Sequence, residues 1–364
     1  MVFSPVSKIW GRRFRPGVEG VGGFRCTGDL ARVCDRCDDQ RIDLSTATSR
    51  LPLTEVAEAF SGATLERLEV PDGGRLVLKR LPAEGDWLTR STDGPGRLRR
   101  LWEAGVFDRI EPVVDHTIID VLSEAGQDVV VMRDASDDLL PPRVPVSRET
   151  VRVLLGKLAG LHDAGTDEAC DGLCAIGSRY AMFAPAFHAG DAGAGRHPLA
   201  DRIATGWELF AEHVDPDVAA AVFAVHRDPQ GFGARFQRFP STLLHGDAKL
   251  ENLGLSDDRL VAIDWGDMTG FGPREIDVGW FALKGSIRAG CAPDELFADY
   301  AAASGRPLDP DALDLVCIGS LAQMGFRMAV GAYASGPEPP EVAGPQLEWW
   351  TARVAAALEA IGPI

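Results

Sequence analysis

The sequence predicts an α+β protein of two lobes, in which a small antiparallel sheet precedes a mainly helical half. Between residues 50 and 134, several segments alternate apolar and polar residues, which is typical of half-buried strands. After Asp134, apolar residues recur at helical spacing, with one strand-like insertion at 243–265. We therefore expect an N-terminal lobe at 50–134 and a helical C-terminal lobe at 135–364.

The elements of the N-terminal lobe follow from its turn residues. Four strands are predicted, at 63–70, 75–81, 117–122 and 129–133. The first two flank Pro71-Asp72-Gly73-Gly74, a sequence that favours a β-hairpin turn. Short helices are expected at 53–60 and 97–105. Residues 1–49 show no sustained periodicity, so we expect a poorly ordered extension there.

The C-terminal lobe shows clear helix signals. Ser147 is a good N-cap residue, and a helix with regular apolar spacing should run from there to Gly165. Further helices are predicted at 199–226, 274–289, 294–304, 310–334 and 345–361.

The composition narrows the classes of function. The 364 residues are 45% hydrophobic, an ordinary globular value, and the length suits about two lobes. A net charge of −17 argues against a general nucleic-acid binder, because binding to phosphate backbones needs clustered Lys and Arg. The same charge is compatible with a cationic substrate, since a cleft of one charge sign attracts the opposite sign.

The cysteines and the apolar runs bear on the compartment. The seven cysteines are scattered, unlike a secreted disulfide framework. Cys34 and Cys37 form a CxxC pair, but Cys26 supplies only a third candidate ligand, so a zinc site is not favoured there. No uninterrupted apolar run approaches the roughly 20 residues that span a bilayer, and none follows Arg12 and Arg13 as in a secretory signal. We expect a cytoplasmic protein with no membrane partner.

The strand-like insertion carries the residues best suited to chemistry. It contains the run His245–Asn252, and a returning strand should bring Asp264 back beside Asn252. Mg²⁺ prefers hard oxygen ligands and takes only one or two from protein, so an Asn amide oxygen and an Asp carboxylate suit it. Asp247 would face an acceptor hydroxyl and accept its proton late in phosphoryl transfer. Lys249 would neutralise charge on the transferred phosphate.

The string HGDxxxxN at 245–252, followed by Ile-Asp-Trp at 263–265, resembles the aminoglycoside phosphotransferase and choline kinase superfamily. The resemblance covers roughly residues 50–335 and implies a protein-kinase-like fold, with Mg²⁺ as cofactor and ATP or GTP as co-substrate. It implies that Asp247 is the catalytic Asp, that Asn252 and Asp264 are metal ligands, and that His245 supports the loop.

The same resemblance assigns a nucleotide site in the N-terminal lobe. Lys79 corresponds to the lysine that contacts the α- and β-phosphates. The adenine edge is expected at the backbone of Val131 to Arg133. The acidic partner of Lys79 is not determined, because there is more than one candidate. Glu103 lies within the predicted helix at 97–105, and Glu84 lies in the loop before that helix. The phosphate loop is reduced to Pro71-Asp72-Gly73-Gly74, which equally suits a plain hairpin.

Neighbouring residues have structural interpretations. His245 is interpreted as a hydrogen-bonded core histidine, and Asp277 as a buried acceptor that braces the catalytic loop. Trp265 and Trp280 are assigned to the core. Asp267 is interpreted as a loop-capping acid.

Three functions remain to be weighed. The leading one is an ATP- or GTP-dependent O-phosphotransferase acting on a small hydroxylated molecule, and the first alternative is a pseudokinase that binds nucleotide without turnover. A protein kinase is disfavoured, because neither Asp-Phe-Gly nor Ala-Pro-Glu follows. The acceptor should contact loops near 175–200 and the helices after 280. The acids Asp191, Asp201 and Glu208 are candidate contacts, and 190–195 suits a lid. The sequence leaves the acceptor open among an aminoglycoside, a choline-like amine, a macrolide and other metabolites.

Overall fold

A computed structural model of the chain describes residues 44, 47–53, 63–71, 74–82, 87–92, 94, 96–165, 170–188, 199–334, 336 and 338–364. The helix expected at 53–60, the CxxC pair and the lid expected at 190–195 lie outside these residues, apart from Leu53. So does most of the expected N-terminal extension.

The N-terminal lobe is built on an antiparallel sheet. Its strands are β1 (Ser49–Pro52), β2 (Thr64–Glu69), β3 (Arg75–Arg80), β4 (Val114–Asp115), β5 (Ile118–Glu124) and β6 (Gln127–Arg133). Five of them form one sheet in the order β1-β2-β3-β6-β5. Leu76 and Leu78 show the expected alternation, since both are buried and pack with Val131 in the core of this lobe.

Strand β1 is an addition to the four strands that the sequence predicted. It pairs antiparallel with β2, and Ser49, which we placed in the extension, is its first residue. Its burial pattern does not alternate, because most of this edge strand is exposed. Backbone pairing therefore holds it, and such pairing leaves no periodic signal in the sequence.

Three short helices complete the N-terminal lobe: α1 (Trp87–Ser91), α2 (Arg97–Glu103) and α3 (Val106–Ile110). The helix predicted at 97–105 ends at Glu103. Gly105, in the left-handed conformation with φ 68°, separates α2 from α3.

The C-terminal lobe is mainly helical, as predicted. Its helices are α4 (Arg148–Ala164), α5 (Ile176–Ala181), α6 (Pro185–His188), α7 (Ala200–His213), α8 (Pro216–Arg227), α9 (Pro229–Ala234), α10 (Glu275–Ala289), α11 (Pro293–Ser304), α12 (Pro310–Tyr333) and α13 (Pro340–Ile361). The segment predicted as one helix at 199–226 forms two. Asp215 caps the second and Pro216 opens it, so the first helix cannot continue through them.

Short strands between these helices carry the candidate site. They are β7 (Thr242–Leu244), β8 (Leu253–Ser256), β9 (Arg259–Ala262) and β10 (Gly270–Gly272). Strands β8 and β9 form a hairpin, β7 pairs with β10, and β4 runs parallel to β9. The predicted α+β class, with a sheet lobe followed by a helical lobe, is confirmed.

Helix α12 is the central helix of the C-terminal lobe. It is long and apolar enough to cross a membrane by length and composition, with a mean hydropathy of 1.4. However, 89% of that apolar window is buried inside the protein. A core helix accounts for the same composition, because its apolar residues pack against α7 and α13 on several sides.

The packing of α10 on α12 depends on a glycine. A Cβ at Gly279 would lie 2.2 Å from Cγ1 of Val316. We expect Gly279→Ala to lower the free energy of unfolding by about 1–3 kcal/mol, the usual cost of overpacking a core. Urea unfolding followed by circular dichroism measures it.

A matched control is Gly160→Ala in α4, where an added Cβ meets nothing within 4 Å. That change should raise stability by about 0.5–1 kcal/mol through helix propensity alone. Equal effects of the two changes would contradict the packing argument.

Candidate active site

The loop after β7 has a backbone that only a few sequences allow. Gly246 has φ 86°, and a Cβ there would lie 1.9 Å from the carbonyl oxygen of Met268. Any other residue would be strained and would collide with that backbone. The loop therefore runs in direct contact with the segment that follows Asp264.

Asp277 on α10 braces this loop, as predicted. It is fully buried, and its carboxylate accepts the N–H groups of His245 at 2.8 Å and Gly246 at 2.9 Å. Nε2 of His162 lies 3.3 Å from the same carboxylate. Burial raises the pKa of Asp277, but the hydrogen bond from His162 and the charge of Arg179 outweigh it and leave the pKa below its ordinary value.

His245 supports the loop from inside, which confirms its structural interpretation. Its Nε2 lies 3.0 Å from the carbonyl oxygen of Ile263, and its Nδ1 lies 3.1 Å from the backbone N of Asp247. Burial lowers the pKa of His245, so the ring is neutral. A proton on Nε2 satisfies both contacts, because Nδ1 then accepts the N–H of Asp247.

The carboxylate of Asp247 is held by three side chains. Nζ of Lys249 at 2.7 Å and Nδ2 of Asn252 at 2.9 Å donate to Oδ2, while Nε1 of Trp280 donates to Oδ1 at 2.8 Å. Asp247 is only 8% exposed. Hydrogen bonds of this kind fix the orientation of the carboxylate.

Trp280 was assigned to the core, and it is indeed buried. Its N–H contact with Asp247 was missed. A buried indole N–H needs an acceptor, and Trp280 lies three residues after Asp277 on the helix that braces the loop. These two signals mark Trp280 as a candidate donor to the loop, but they do not identify its acceptor.

Two cations lie over the ring of Trp280. The guanidinium carbon of Arg179 is 5.3 Å from the ring centroid, and Nζ of Lys284 is 5.7 Å from it. Arg179 also donates from Nη1 to the carbonyl oxygen of Gly246. Neither cation was predicted, since no local pattern marks them.

Asp264 lies beside Asn252, where the predicted hairpin brings it. The backbone N–H of Ile263 donates to the carbonyl oxygen of Asn252 at 3.0 Å. Asp264 itself has φ 66°, an uncommon left-handed conformation for a residue other than glycine. Such strained backbone concentrates at functional sites.

Lys79 on β3 reaches Asp264 from the N-terminal lobe. Its Nζ lies 2.5 Å from Oδ1 of Asp264, although 185 positions separate the two residues in sequence. The charge of Lys79 is the main reason that the pKa of Asp264 falls to about 2. This ion pair brings the expected phosphate-binding lysine and the expected metal ligand together.

Lys249 lies close to both carboxylates of the site. Burial lowers the pKa of Lys249, but the negative charges of Asp247 and Asp264 outweigh burial and hold the pKa above its ordinary value. The lysine is therefore a permanent positive charge between the two acids.

The donor set fits a magnesium ion. Asn252 uses Nδ2 to bond Asp247, which leaves Oδ1 as its ligand atom, and the Asp264 carboxylate already pairs with a cation. One carboxylate and one amide oxygen match the few protein ligands that Mg²⁺ uses. Among the described residues, no group of three or more His, Cys, Asp or Glu side chains is placed to hold a metal.

The expected adenine contact needs a partial correction. The backbone N–H of Arg133 donates to the carbonyl oxygen of Thr117 at 2.8 Å, so it is not available to an adenine edge. The side chain of Arg133 pairs with Asp115 and Asp138. Val131 lies in the sheet between Leu78 and Asp120, and its contact with a nucleotide stays a prediction.

The remaining acids named from the sequence show few contacts that bear on a role in the site. Asp267 accepts from Oγ1 of Thr89 at 3.2 Å. Asp201 and Glu208 are exposed on α7, and Asp191 lies outside the described residues. Contacts of these acids with an acceptor stay predictions.

Asp277→Asn tests the brace. An Asn can offer an oxygen to only one of the two loop N–H groups, so stability at neutral pH should fall by about 2–3 kcal/mol. Because the pKa of Asp277 is lowered in the folded chain, its contribution is complete above the unfolded value of about 3.9 and is lost as the pH falls below it.

Urea unfolding at a series of pH values measures this contribution of Asp277 to stability. The difference between parent and variant should shrink below about pH 4, and a difference independent of pH would contradict the argument. Asp215→Asn is the control, since Asn is an equally good N-cap at that exposed position.

Comparison with known proteins places the chain in a family. A family model described as "Phosphotransferase enzyme family" matches residues 53–316. No curated protein matches.

Solved structures that resemble the chain come from several organisms. An aminoglycoside phosphotransferase from Alicyclobacillus acidocaldarius is 16% identical, with a TM-score of 0.43, over 90% of this chain and 98% of that one. A putative fructosamine-3-kinase from Thermobifida fusca is 18% identical, with a TM-score of 0.43, over 86% of this chain and 94% of that one. A choline kinase from Streptococcus pneumoniae is 12% identical, with a TM-score of 0.46, over 85% of this chain and 94% of that one.

At these identities and TM-scores the solved structures do not identify a substrate. The family match is a different kind of evidence, because it spans the sheet lobe, the loop at 245–252 and most of the helical lobe. The chain therefore belongs to the phosphotransferase enzyme family.

Proposed function

We propose that this phosphotransferase uses Mg²⁺ with ATP or GTP and transfers the γ-phosphoryl group to a hydroxyl of a small molecule. The observation that carries the proposal is the pair of ordered carboxylates. Asp247 is fixed by three donors, and Asp264 stands beside Asn252 in a strained backbone opposite Lys79.

The proposed role of Asp247 follows from its unused acceptor capacity. An ionised carboxylate has about four acceptor positions, and the three donors described above occupy three of them. The remaining position, on Oδ1, would accept the O–H of the acceptor molecule. The bond from the acceptor oxygen to the γ-phosphorus forms as the bond to the leaving nucleoside diphosphate breaks, and the proton passes to Asp247.

The cations have separate roles in this proposal. Lys79 would bind the nucleotide phosphates from the N-terminal lobe, and Lys249 would stabilise negative charge on the phosphoryl group in transfer. Asn252 and Asp264 would hold Mg²⁺, which when bound neutralises phosphate charge. Positioning and electrostatic stabilisation are what phosphoryl transfer chiefly requires of a protein.

The acceptor is proposed to be a small hydroxylated molecule. The net charge of −17 supports a cationic one. The immediate surroundings of Asp247 support it less, because Lys249, Arg179 and Lys284 all lie there. A positive group of the acceptor would therefore have to bind away from the ring of Trp280.

The experiment that tests the proposal separates binding from turnover. Titration calorimetry with ATP and with GTP, each with and without Mg²⁺, measures binding to the full chain. We expect magnesium-dependent binding of at least one nucleotide. Asp264→Ala should abolish the magnesium dependence, because it removes the only carboxylate of the proposed metal site.

Turnover is then measured against a panel of aminoglycosides, choline and amino sugars. Asp247→Ala should lower kcat by about 10²- to 10⁴-fold while nucleotide affinity stays within error. The control Asp311→Ala removes a surface carboxylate that pairs with Arg238 and should change neither quantity. Nucleotide binding without turnover on any acceptor would favour the pseudokinase instead.

Trp280 provides a finer test of the role of Asp247. Replacing Trp280 with the isosteric benzothienyl analogue removes the N–H but keeps the ring. Loss of one hydrogen bond to a charged group should lower kcat by about tenfold and leave KM for the nucleotide unchanged.

The same replacement at Trp265 is the control, since its N–H donates to the carbonyl oxygen of Ala262 and not to Asp247. An equal loss of kcat at both positions would show that Trp280 acts only through packing.

A further inference from the structure

Arg97, the first residue of α2, is a buried arginine that the proposed mechanism does not use. It is only 2% exposed. Burying a guanidinium costs several kcal/mol in desolvation unless its donors are satisfied. The acceptors of Arg97 therefore indicate what this side chain does.

Those acceptors come from separate parts of the chain. Nε donates to the carbonyl oxygen of Gly172 at 2.8 Å, in the loop after α4. Nη2 donates to the carbonyl oxygen of Thr92 at 2.5 Å. Nη1 donates to the carbonyl oxygen of Gly266 at 3.2 Å and also to that of Asp267. One side chain of the N-terminal lobe thus holds two segments of the C-terminal lobe.

The second of these segments follows Asp264 directly. Asp264 has φ 66° and Gly266 has φ 129°, so two of three consecutive residues have left-handed or related backbone. The left-handed conformation of Asp264 is costly for a residue other than glycine and persists only where the surroundings fix it. Arg97 binds the two carbonyl groups at the end of this turn.

A neighbouring arginine, Arg99, attaches the first turn of α2 to the sheet. Nε of Arg99 donates to Oδ1 of Asp128 at 2.8 Å, and its Nη2 donates to the carbonyl oxygen of Leu122 at 2.7 Å. Helix α2 is therefore attached to the sheet through Arg99 and to the Asp264 turn through Arg97.

We propose that Arg97 is a positioning residue for Asp264. By holding the carbonyl oxygens of Gly266 and Asp267, it maintains the turn that presents the Asp264 carboxylate to Mg²⁺. The inference rests on the proposed function, since it concerns the same metal site. It adds that α2 controls that site through a buried arginine that is neither a proposed metal ligand nor a proposed phosphate ligand.

Arg97→Lys is the first variant, because it keeps the charge but loses the planar fork that reaches several carbonyls at once. The measured quantity is the ratio of nucleotide Kd without Mg²⁺ to nucleotide Kd with Mg²⁺, by titration calorimetry on the full chain. We expect the ratio to fall by about tenfold, the effect of losing one hydrogen bond to a charged group, while the Kd without Mg²⁺ stays unchanged.

Gly94→Ala is a second variant that disturbs the arginine without removing it. A Cβ there would lie 2.6 Å from Nη1 of Arg97, at the end of a flexible side chain, so the chain should still fold. The ratio should also fall in this variant, by a smaller factor than in Arg97→Lys.

Arg274→Lys is the matched control. Nη2 of Arg274 donates to the carbonyl oxygens of Arg306 at 3.3 Å and Pro307 at 2.6 Å, in a loop that does not touch Asp264. The control should lose thermal stability and keep the parent ratio.

The outcomes separate the two proposals. A parent ratio in both Arg97→Lys and Gly94→Ala would overturn the positioning role and leave the proposed function intact. An equal fall of the ratio in Arg274→Lys would also overturn it, since the arginine would then act through stability alone. No magnesium dependence in the parent would overturn the proposed function and this inference together.

Discussion

The buried carboxylate of Asp277 is the interaction on which the site depends. It accepts the backbone N–H groups of His245 and Gly246, and these bonds set the direction in which the chain leaves β7. The same helix presents Trp280 to Asp247. Because Gly279 lets α10 pack closely on α12, the core of the helical lobe directly fixes the position of the proposed catalytic carboxylate.

Charges of opposite sign alternate through the site. Lys79 pairs with Asp264 and Lys249 pairs with Asp247, and the charges of the two acids raise the pKa of Lys249. Each charge is thus stabilised by its neighbours in a partly buried region, where an isolated charge would be costly. A nucleotide with its metal would enter an arrangement that is already ordered.

The two lobes meet where the backbone is strained. Asp264 has a left-handed conformation, and its turn is held by Lys79 from β3 and by Arg97 from α2. Both contacts come from the N-terminal lobe. The position of that lobe therefore determines the geometry of the proposed metal site, which lies in the C-terminal lobe.

The sequence by itself determined the fold class, most helices and the residues of the HGDxxxxN string, because periodicity and short spacings record local contacts. Asp247, Asn252 and Asp264 were predicted as site residues in this way. Only the tertiary structure assigned Trp280 to Asp247 and Arg97 to the Asp264 turn. These partners lie 33 and 170 positions apart, and a single buried donor leaves no repeating pattern that would reveal its acceptor. The edge strand β1 was missed for the same reason, since backbone pairing alone holds it.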